Sequence, residues 1–503
     1  MVRFRRSPHR RTQAPDLDPV AAPSPERISR AVLRASRLPV RRERAGSARR
    51  PGRPRRSSAP RGVGLHPRAA HPPNRRPGGW RPRPVALTIP PARRRIRPSP
   101  QPAARGMEAA PCFASRSDGG HAPCSPAVGG RGHTDGMSLT SDRRRIAQLR
   151  ETALGLGSPR PATASAAVGD LLAMQAQDLP GALWSIGVRT GLTADEVRAA
   201  HEAGDLVRSW PMRGTLHLLR PADLRWMLAL TGERQHRSAA ARHRDLGLDE
   251  AQFARAAEIA RAELEGGGRL DRADLLAAFV AGGVPIDGQR GAHLIGALAH
   301  RVAIVLTGPS EFACADDVLP AADPLDRDTA LARLAELYLA GHGPADERDL
   351  AWWAGIPLGD ARRGIAAARE HPESVELEEI AIGERRLLAR VGLEPAASTL
   401  RLLPGFDELL LGYTDRTATL HELPLEAVVP GRNGMFLPTV VIDGRVVATW
   451  KRTATARRVR VAVSVLTSIP SSKRAALERA ARGYVEHLGR PADQLELTAV
   501  DGG

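Results

Sequence analysis

Leu206-Val-Arg-Ser-Trp210, then Pro211-Met-Arg-Gly214, then Thr215-Leu-His-Leu-Leu219 form one continuous stretch. Two short runs of strand-forming residues flank a Pro- and Gly-containing break, the signature of a β-hairpin. Helical signals precede it. Thr193-Ala-Asp-Glu196 is a capping box that opens a helix to Ala203, and Gly204 ends it. Further upstream, Val168, Leu171, Leu172 and Met174 fall on one stripe, which predicts a helix from about Thr163 to Gln177, closed by Pro180. Ser141 or Asp142 caps an expected first helix from Arg143 to about Leu154. Helices followed by a hairpin have the shape of a winged helix-turn-helix.

The pattern recurs twice. Leu270–Phe279 is an expected helix with Asp271 as its cap, Gly288–His300 is another, and Val302–Leu306 is a strand. Gly343–Trp353, the Gly355-Ile-Pro357 turn, a helix from Leu358 to Ala368 and a strand at Val375–Ile382 form a third copy. The spacings are too loose for a solenoid. From about Thr399 short strands dominate, with Asp443-Gly444 as a hairpin turn between Pro438–Ile442 and Arg445–Trp450. A last helix is expected from Ser471 to Leu488. The expected class is α+β: winged helices at 137–231, 232–320 and 321–398, then a β-rich C-terminal domain at 399–503 resembling a small barrel.

The net charge of +19 over 503 residues suggests a nucleic-acid binder until it is located. Residues 1–136 hold 30 arginines, no lysine, 7 acids and 23 of the 42 prolines. The remainder holds 44 bases and 48 acids, so the body is slightly acidic. The first segment cannot bury enough apolar surface to offset about 1–2 kcal/mol of entropy per residue, and is expected to be a disordered tail. It reads either as a polycationic nucleic-acid arm or as translated GC-rich sequence ahead of a true start near Met137. Three cysteines, Cys112, Cys124 and Cys314, exclude a disulfide framework and a paired-cysteine metal site in the body. There is no span-length apolar run and no secretory h-region, so a cytoplasmic protein is expected.

No P-loop, dinucleotide fingerprint, zincin motif or nucleophile elbow stands at useful spacing, and the body has no His/Cys cluster. No cofactor and no metal are expected. Three arrays remain: Met174-Gln175-Ala176-Gln177-Asp178; Trp210-Pro-Met-Arg213-Gly-Thr-Leu-His217; and Leu403-Pro-Gly-Phe-Asp407 with Pro438-Thr-Val-Val-Ile-Asp-Gly444. Together with His342-Gly-Pro344, and in this order, they resemble the AlkZ/YcaQ-type winged-helix DNA glycosylases of bacteria. The resemblance spans Ser138 to about Leu497. It implies tandem winged helices joined to a C-terminal β-domain, and a Gln-apolar-Gln motif that excises alkylated or cross-linked bases. Gln175 and Gln177 match that motif, with a small Ala176 between them. The implied partner is damaged double-stranded DNA, bound by a monomer.

The chemistry suits such a pair. An N-alkylated purine is already cationic, so the glycosidic bond needs little acid help, and the oxocarbenium-like transition state is stabilised by orientation and electrostatics. A glutamine amide can hold a water but cannot take its proton, and Asp178 is the nearest ionisable group. On a regular helix, residues i and i+2 point about 200° apart, so the pair converges only where the helix ends. The same stretch also reads as a solvated helix end. Arg213 and His217 are expected on the DNA side, Trp210 in the core, and Trp352-Trp353 in the core and at a helix contact. Arg237, Arg242 and Arg244, on one expected helix with Arg234, form a candidate phosphate patch, as do Arg143–Arg145 and the Lys451–Arg460 region. Phe406-Asp407 and Asp415-Arg416 read as a buried ion pair or a turn cap. A non-catalytic winged-helix regulator is the alternative from another class, because fold does not fix function. A regulator has no use for the glutamine pair. The body's only lysines, Lys451 and Lys473, lie far along the chain, against Schiff-base lyase chemistry.

Overall fold

The computed structural model describes residues 3–4, 134–157, 160–370 and 375–501. The expected disordered tail lies almost wholly outside the described residues. The first helix, α1, runs Thr134–Ala153, so Ser141 is an interior position and not a cap. Its inner face buries Ile146 and Ala147 against Leu387 and Ala418, and Leu149 against Ala389 and Leu393. Arg150 is fully buried yet satisfied: Nε donates to the Pro344 carbonyl (2.9 Å), Nη1 to that of Asp415 (3.2 Å), and the guanidinium lies 3.6 Å from the Tyr413 ring centroid.

The second helix is shorter than its apolar stripe predicts. α2 spans Ala164–Asp170, capped by Thr163, and Leu172 then takes a left-handed conformation (φ 64°). That residue turns the chain into a strand, β2, over Ala173–Gln175. With Arg3–Phe4 as β1, the elements that follow are α3 (Leu179–Thr190), α4 (Ala194–Glu202), β3 (Val207–Met212) and β4 (Thr215–Leu219). The Thr193/Glu196 capping box forms reciprocally. After α5 (Pro221–Ser238) the expected continuous basic helix breaks at Ala239, and α6 covers Ala240–Asp245. α7 (Glu250–Leu264), α8 (Arg272–Ala281) and α9 (Arg290–His300) lead to β5 (Ile304–Leu306) and β6 (Phe312–Cys314).

These five inner strands form one antiparallel sheet in the order β2-β4-β3-β5-β6. The third segment contributes α10 (Ala315–Val318), α11 (Arg327–His342), α12 (Glu347–Ala354), α13 (Leu358–Glu370) and the hairpin β7 (Leu377–Ile382)/β8 (Arg385–Arg390). α11 and α13 approach so closely at Gly364 that a Cβ there would lie 2.5 Å from the Leu331 carbonyl oxygen.

The C-terminal region is β-rich but is not a barrel. β9 (Leu400–Leu403), β10 (Thr439–Ile442), β11 (Arg445–Ala454), β12 (Val459–Val465) and β13 (Leu495–Asp501) form an open six-stranded sheet in the order β1-β13-β12-β11-β10-β9. Two short helices, α14 (Glu408–Leu411) and α15 (Thr417–Leu420), lie between β9 and β10. The sheet is open, with β1 and β9 as its unpaired ends, and β12 and β13 pair in parallel through a crossover helix, α16 (Arg474–His487). That helix covers one face with Leu477, Ala481, Tyr484 and Val485, against Trp450 and the inward residues of β12. The Asp443-Gly444 turn forms as expected, with both residues at positive φ. A Cβ at Gly444 would lie 2.3 Å from the Ala147 carbonyl oxygen, so this hairpin seats directly on α1.

Candidate active site

β2 is an edge strand, paired on one side with β4. Gln175 stands opposite His217, and His217 opposite Ser209 of β3, so the three share one face of the sheet. The ladder continues one bond beyond β2, from Ala176 N–H to the Leu216 carbonyl (2.7 Å). Gln177 lies in the bend that follows the strand, exposed and two residues beyond the half-buried Gln175. Both glutamines border β4, Gln175 opposite His217 and Gln177 through its side-chain bond to Leu216 N–H. Ala176, between them, is fully buried on the opposite face, where its carbonyl accepts from Arg208 Nε (3.1 Å).

Leu216 N–H donates to Gln177 Oε1 at 3.3 Å. A backbone N–H can only donate, so the amide orientation is fixed and the Gln177 NH₂ points away from the sheet, free to donate. Gln175 is half-buried, and among the described residues its side chain has no hydrogen-bond partner. Asp178 follows at the start of α3 without capping it, and its carboxylate lies 3.9 Å from Arg452.

The β3–β4 hairpin turns through Arg213-Gly214, both at positive φ (55° and 68°). An arginine is unusual at the first of these positions. Hydrogen bonds hold its side chain back over the sheet: Nη1 donates to the Trp353 carbonyl (2.8 Å) and Nη2 to His217 Nε2 (3.2 Å). His217 Nδ1 lies 2.8 Å from the Thr215 carbonyl, so the proton is on Nδ1 and Nε2 is a lone-pair acceptor. Burial, and then the Arg213 charge, press the His217 pKa down to about 3. The imidazole is fully buried and presents no surface to solvent; it supports Arg213, which is half-exposed.

Beyond Arg213 lies a cluster that the sequence reading missed. Trp353 is buried, as expected, but Trp352 is 37% exposed. The guanidiniums of Arg213 and Arg416 lie 5.2 and 5.0 Å from the Trp352 ring centroid, and Arg416 lies 5.3 Å from that of Phe436. On α12, residues 352 and 353 point about 100° apart, so one meets the core while the other leaves it. Arg416 is itself anchored, Nε to the Leu410 carbonyl (2.7 Å). Beneath the cluster, Glu408 is buried and accepts from Trp353 Nε1 (2.9 Å) and from His342 Nε2 (3.4 Å). Burial raises the Glu408 carboxyl pKa, but the His342 interaction, the Arg213 charge and the Trp353 hydrogen bond outweigh it and hold the group below the ordinary value.

Asp407 does form the buried pair expected of it, with Arg189 (2.8 and 3.1 Å) and Ser185 (2.6 Å), and also caps α14. Asp415 bonds Arg385 and the Thr417 N–H. The three arginines of the expected patch are exposed, but the break at Ala239 places Arg237 on α5 and Arg242 and Arg244 on α6. Arg237 pairs with Glu233, and Arg242 with Gln289 and Asp245. His243, between the last two, turns inward against Phe253, His236 and His293. Among the described residues no group of His, Cys, Asp and Glu is arranged to hold a metal, and no helix is long and apolar enough to cross a membrane.

The sequence profile described as DNA glycosylase AlkZ-like matches residues 168–487, well over half of the chain and all of the site above. The chain belongs to the AlkZ-like DNA glycosylase family. It is a DNA glycosylase. An AlkZ-like relative, the interstrand DNA cross-link repair glycosylase of Streptomyces sahachiroi, is 26% identical over 311 residues, covering 58% of this chain and 82% of the relative. The solved structure of Streptomyces sahachiroi DNA glycosylase AlkZ has the same fold, with a TM-score of 0.58 and 24% identity over 70% of this chain and 98% of that one.

Proposed function

We propose that this AlkZ-like glycosylase hydrolyses the N-glycosidic bond of alkylated or cross-linked bases in double-stranded DNA, with Gln175 and Gln177 holding the attacking water. The observation that carries this reading is that both amides border β4, Gln175 opposite His217 and Gln177 bonded to Leu216 N–H. Gln177 has its oxygen tied to Leu216 and its NH₂ free, while Gln175 is unpartnered. The Gln177 NH₂ donates to the water oxygen and Gln175 Oε1 accepts one of its hydrogens, which aims a lone pair at C1′. The C1′–N bond breaks with its electron pair going to the cationic base, which departs neutral. The water then adds to C1′ of the oxocarbenium ion, and its proton passes to Asp178 or to solvent.

Arg213 and Arg416, with Trp352 between them, contact the DNA beside the excised nucleotide. His217 is a positioning residue that fixes Arg213. Arg237, Arg242 and Arg244 contact phosphates away from the site. The segments 137–231, 232–320 and 321–398 act as tandem winged helices, and 399–503 as the β-domain that closes the site from the side of Pro404. The enzyme is monofunctional, since neither Lys451 nor Lys473 belongs to the glutamine site, and it works as a monomer in the bacterial cytoplasm. Incubating the protein with duplexes carrying N7-alkylguanine, N3-alkyladenine or an interstrand cross-link, followed by alkaline strand cleavage, tests this. Alkali-dependent breaks at the lesion are expected. Tight sequence-specific binding without any excision would overturn the reading.

A further inference from the structure

A cavity of about 790 Å³ forms an open groove away from the glutamines, between α3, β9 and α16. Four cations line it, Arg160, Arg401, Lys473 and Arg479, against a single acid, Glu486. Among the described residues none of the four is in an ion pair, and Lys473 Nζ donates only to the neutral Ser398 Oγ (2.6 Å). Carboxylates are not scarce: residues 137–503 hold more acids than bases, and arginines elsewhere are widely paired. Like charges gathered without partners cost free energy unless an anion joins them.

Arg401 is fixed in this arrangement by two hydrogen bonds to the Leu156 carbonyl (3.2 and 2.6 Å). Burial lowers its pKa, as do the charges of Arg160 and Arg189, while Glu151 behind it acts the other way. The N-terminal end of α16, a helix of 14 residues, also opens on the groove at Ser472 and Lys473, and no side chain caps it. The Lys473 and Arg474 N–H groups are taken up by the 3-10 turn Ser471–Lys473 that leads into the helix, and the helix dipole favours negative charge at this end.

We propose that this groove binds the phosphodiester backbone of the substrate DNA, flanking the nucleotide held at Gln175 and Gln177. The inference rests on DNA being bound at that pair. Shape favours a backbone over a mononucleotide. The α16 wall runs from Ser472 to His487, about 22 Å along the helix, which spans several phosphates. No ring is offered to a base, because Trp184 is buried against Tyr484 and His487. The groove takes up α3 from Trp184 to Gly191, so it begins within about 10 Å of the glutamine strand measured along that helix.

The test uses the full chain with the exposed pair changed, Lys473→Ala with Arg479→Ala and Lys473→Glu with Arg479→Glu. Lys473→Arg with Arg479→Lys is the control for charge. Anisotropy of a labelled duplex of about 24 base pairs is followed against salt. The alanine pair is expected to weaken binding at least about 10-fold at 0.1 M salt and to lower the log–log salt slope by about 1.8, that is 0.9 per phosphate released. The charge-reversed pair should do more, and the conservative pair nothing. Single-turnover excision at saturating DNA should be unchanged. An unaltered slope in both the alanine and glutamate pairs would overturn the proposal. So would saturable binding of inorganic pyrophosphate that these variants abolish while the DNA slope stays put, which would make the groove a free-anion site. A lowered slope in a protein that excises nothing would sink the catalytic reading and leave the groove standing.

Discussion

Arg213 donates to His217 across 3.2 Å, and the ring accepts through a nitrogen that carries no proton. A half-exposed cation at the tip of a hairpin is thereby aimed from beneath by a fully buried, neutral imidazole. Protonating that ring would turn its acceptor into a donor and set two positive charges against each other.

Stability should therefore fall in mild acid. His217 and His300 are held at about 3 and about 4, below the ordinary 6.5 of an unfolded chain. The unfolded state binds more protons between those values, so the stabilisation is complete above about pH 6.5 and is lost as pH falls through that window. The slope is up to about 1.4 kcal/mol per pH unit for each group. Urea unfolding from pH 4 to 8 measures it, and His217→Gln should remove its share of the slope. Parallel curves for the two proteins would contradict the assignment.

Gln175→Ala and Gln177→Ala should each lower single-turnover excision by roughly 10²-fold, the scale of a lost transition-state contact, with DNA affinity little changed. Gln177→Ala also removes the acceptor of Leu216 N–H, a long, part-buried bond whose loss should cost about 1 kcal/mol. If an acid limb near pH 4–5 appears in the rate profile and vanishes in Asp178→Asn, the proton acceptor is Asp178.

Trp352→Ala should leave stability within about 1 kcal/mol, since the side chain is more than a third exposed, while slowing excision by about 10-fold or more. Trp352→Phe should restore most of the rate. Equal rates in wild type and the alanine variant would place Trp352 outside the DNA contact.

Asp407→Ala should cost about 3–5 kcal/mol, because it strands the buried Arg189 guanidinium and leaves Ser185 without its acceptor. Chemical denaturation reads this directly. A loss under about 1 kcal/mol would show that water replaces the carboxylate.

Changing Arg237, Arg242 and Arg244 together to Ala should weaken binding equally for all sequences and lower the salt slope, most through Arg244, which has no carboxylate partner within ion-pair distance among the described residues. An unchanged slope would assign the α5–α6 region to solvent.

The sequence made some features plain and hid others for identifiable reasons. Capping boxes and the Asp443-Gly444 turn are local chemistry, and they formed where expected. The apolar stripe Val168–Met174 suggested one long helix because a buried helix and a short buried strand share the same composition. Only the left-handed Leu172 separates them, and leucine gives no signal for that conformation. The glutamines were legible as residues, but their placement beside β4 depended on that unseen strand. Trp352 was misplaced beside Trp353 because neighbouring aromatics carry no mark of which one faces inward. The open sheet could not be told from a barrel, since strand patterning does not say whether the end strands, here β1 and β9, pair with each other. The α5–α6 break has no Gly or Pro to announce it.

The strand that ends at Gln175 is three residues long and hydrogen-bonded along one side only. Its opening therefore need not wait for the sheet to unfold, and the catalytic alignment is an equilibrium population as well as a geometry. In amide hydrogen exchange, Gln175 and Ala176 should exchange faster than the interior strand β3, and substrate DNA should slow them selectively. Loss of the Leu216–Gln177 bond should then speed that exchange further while the melting curve moves little.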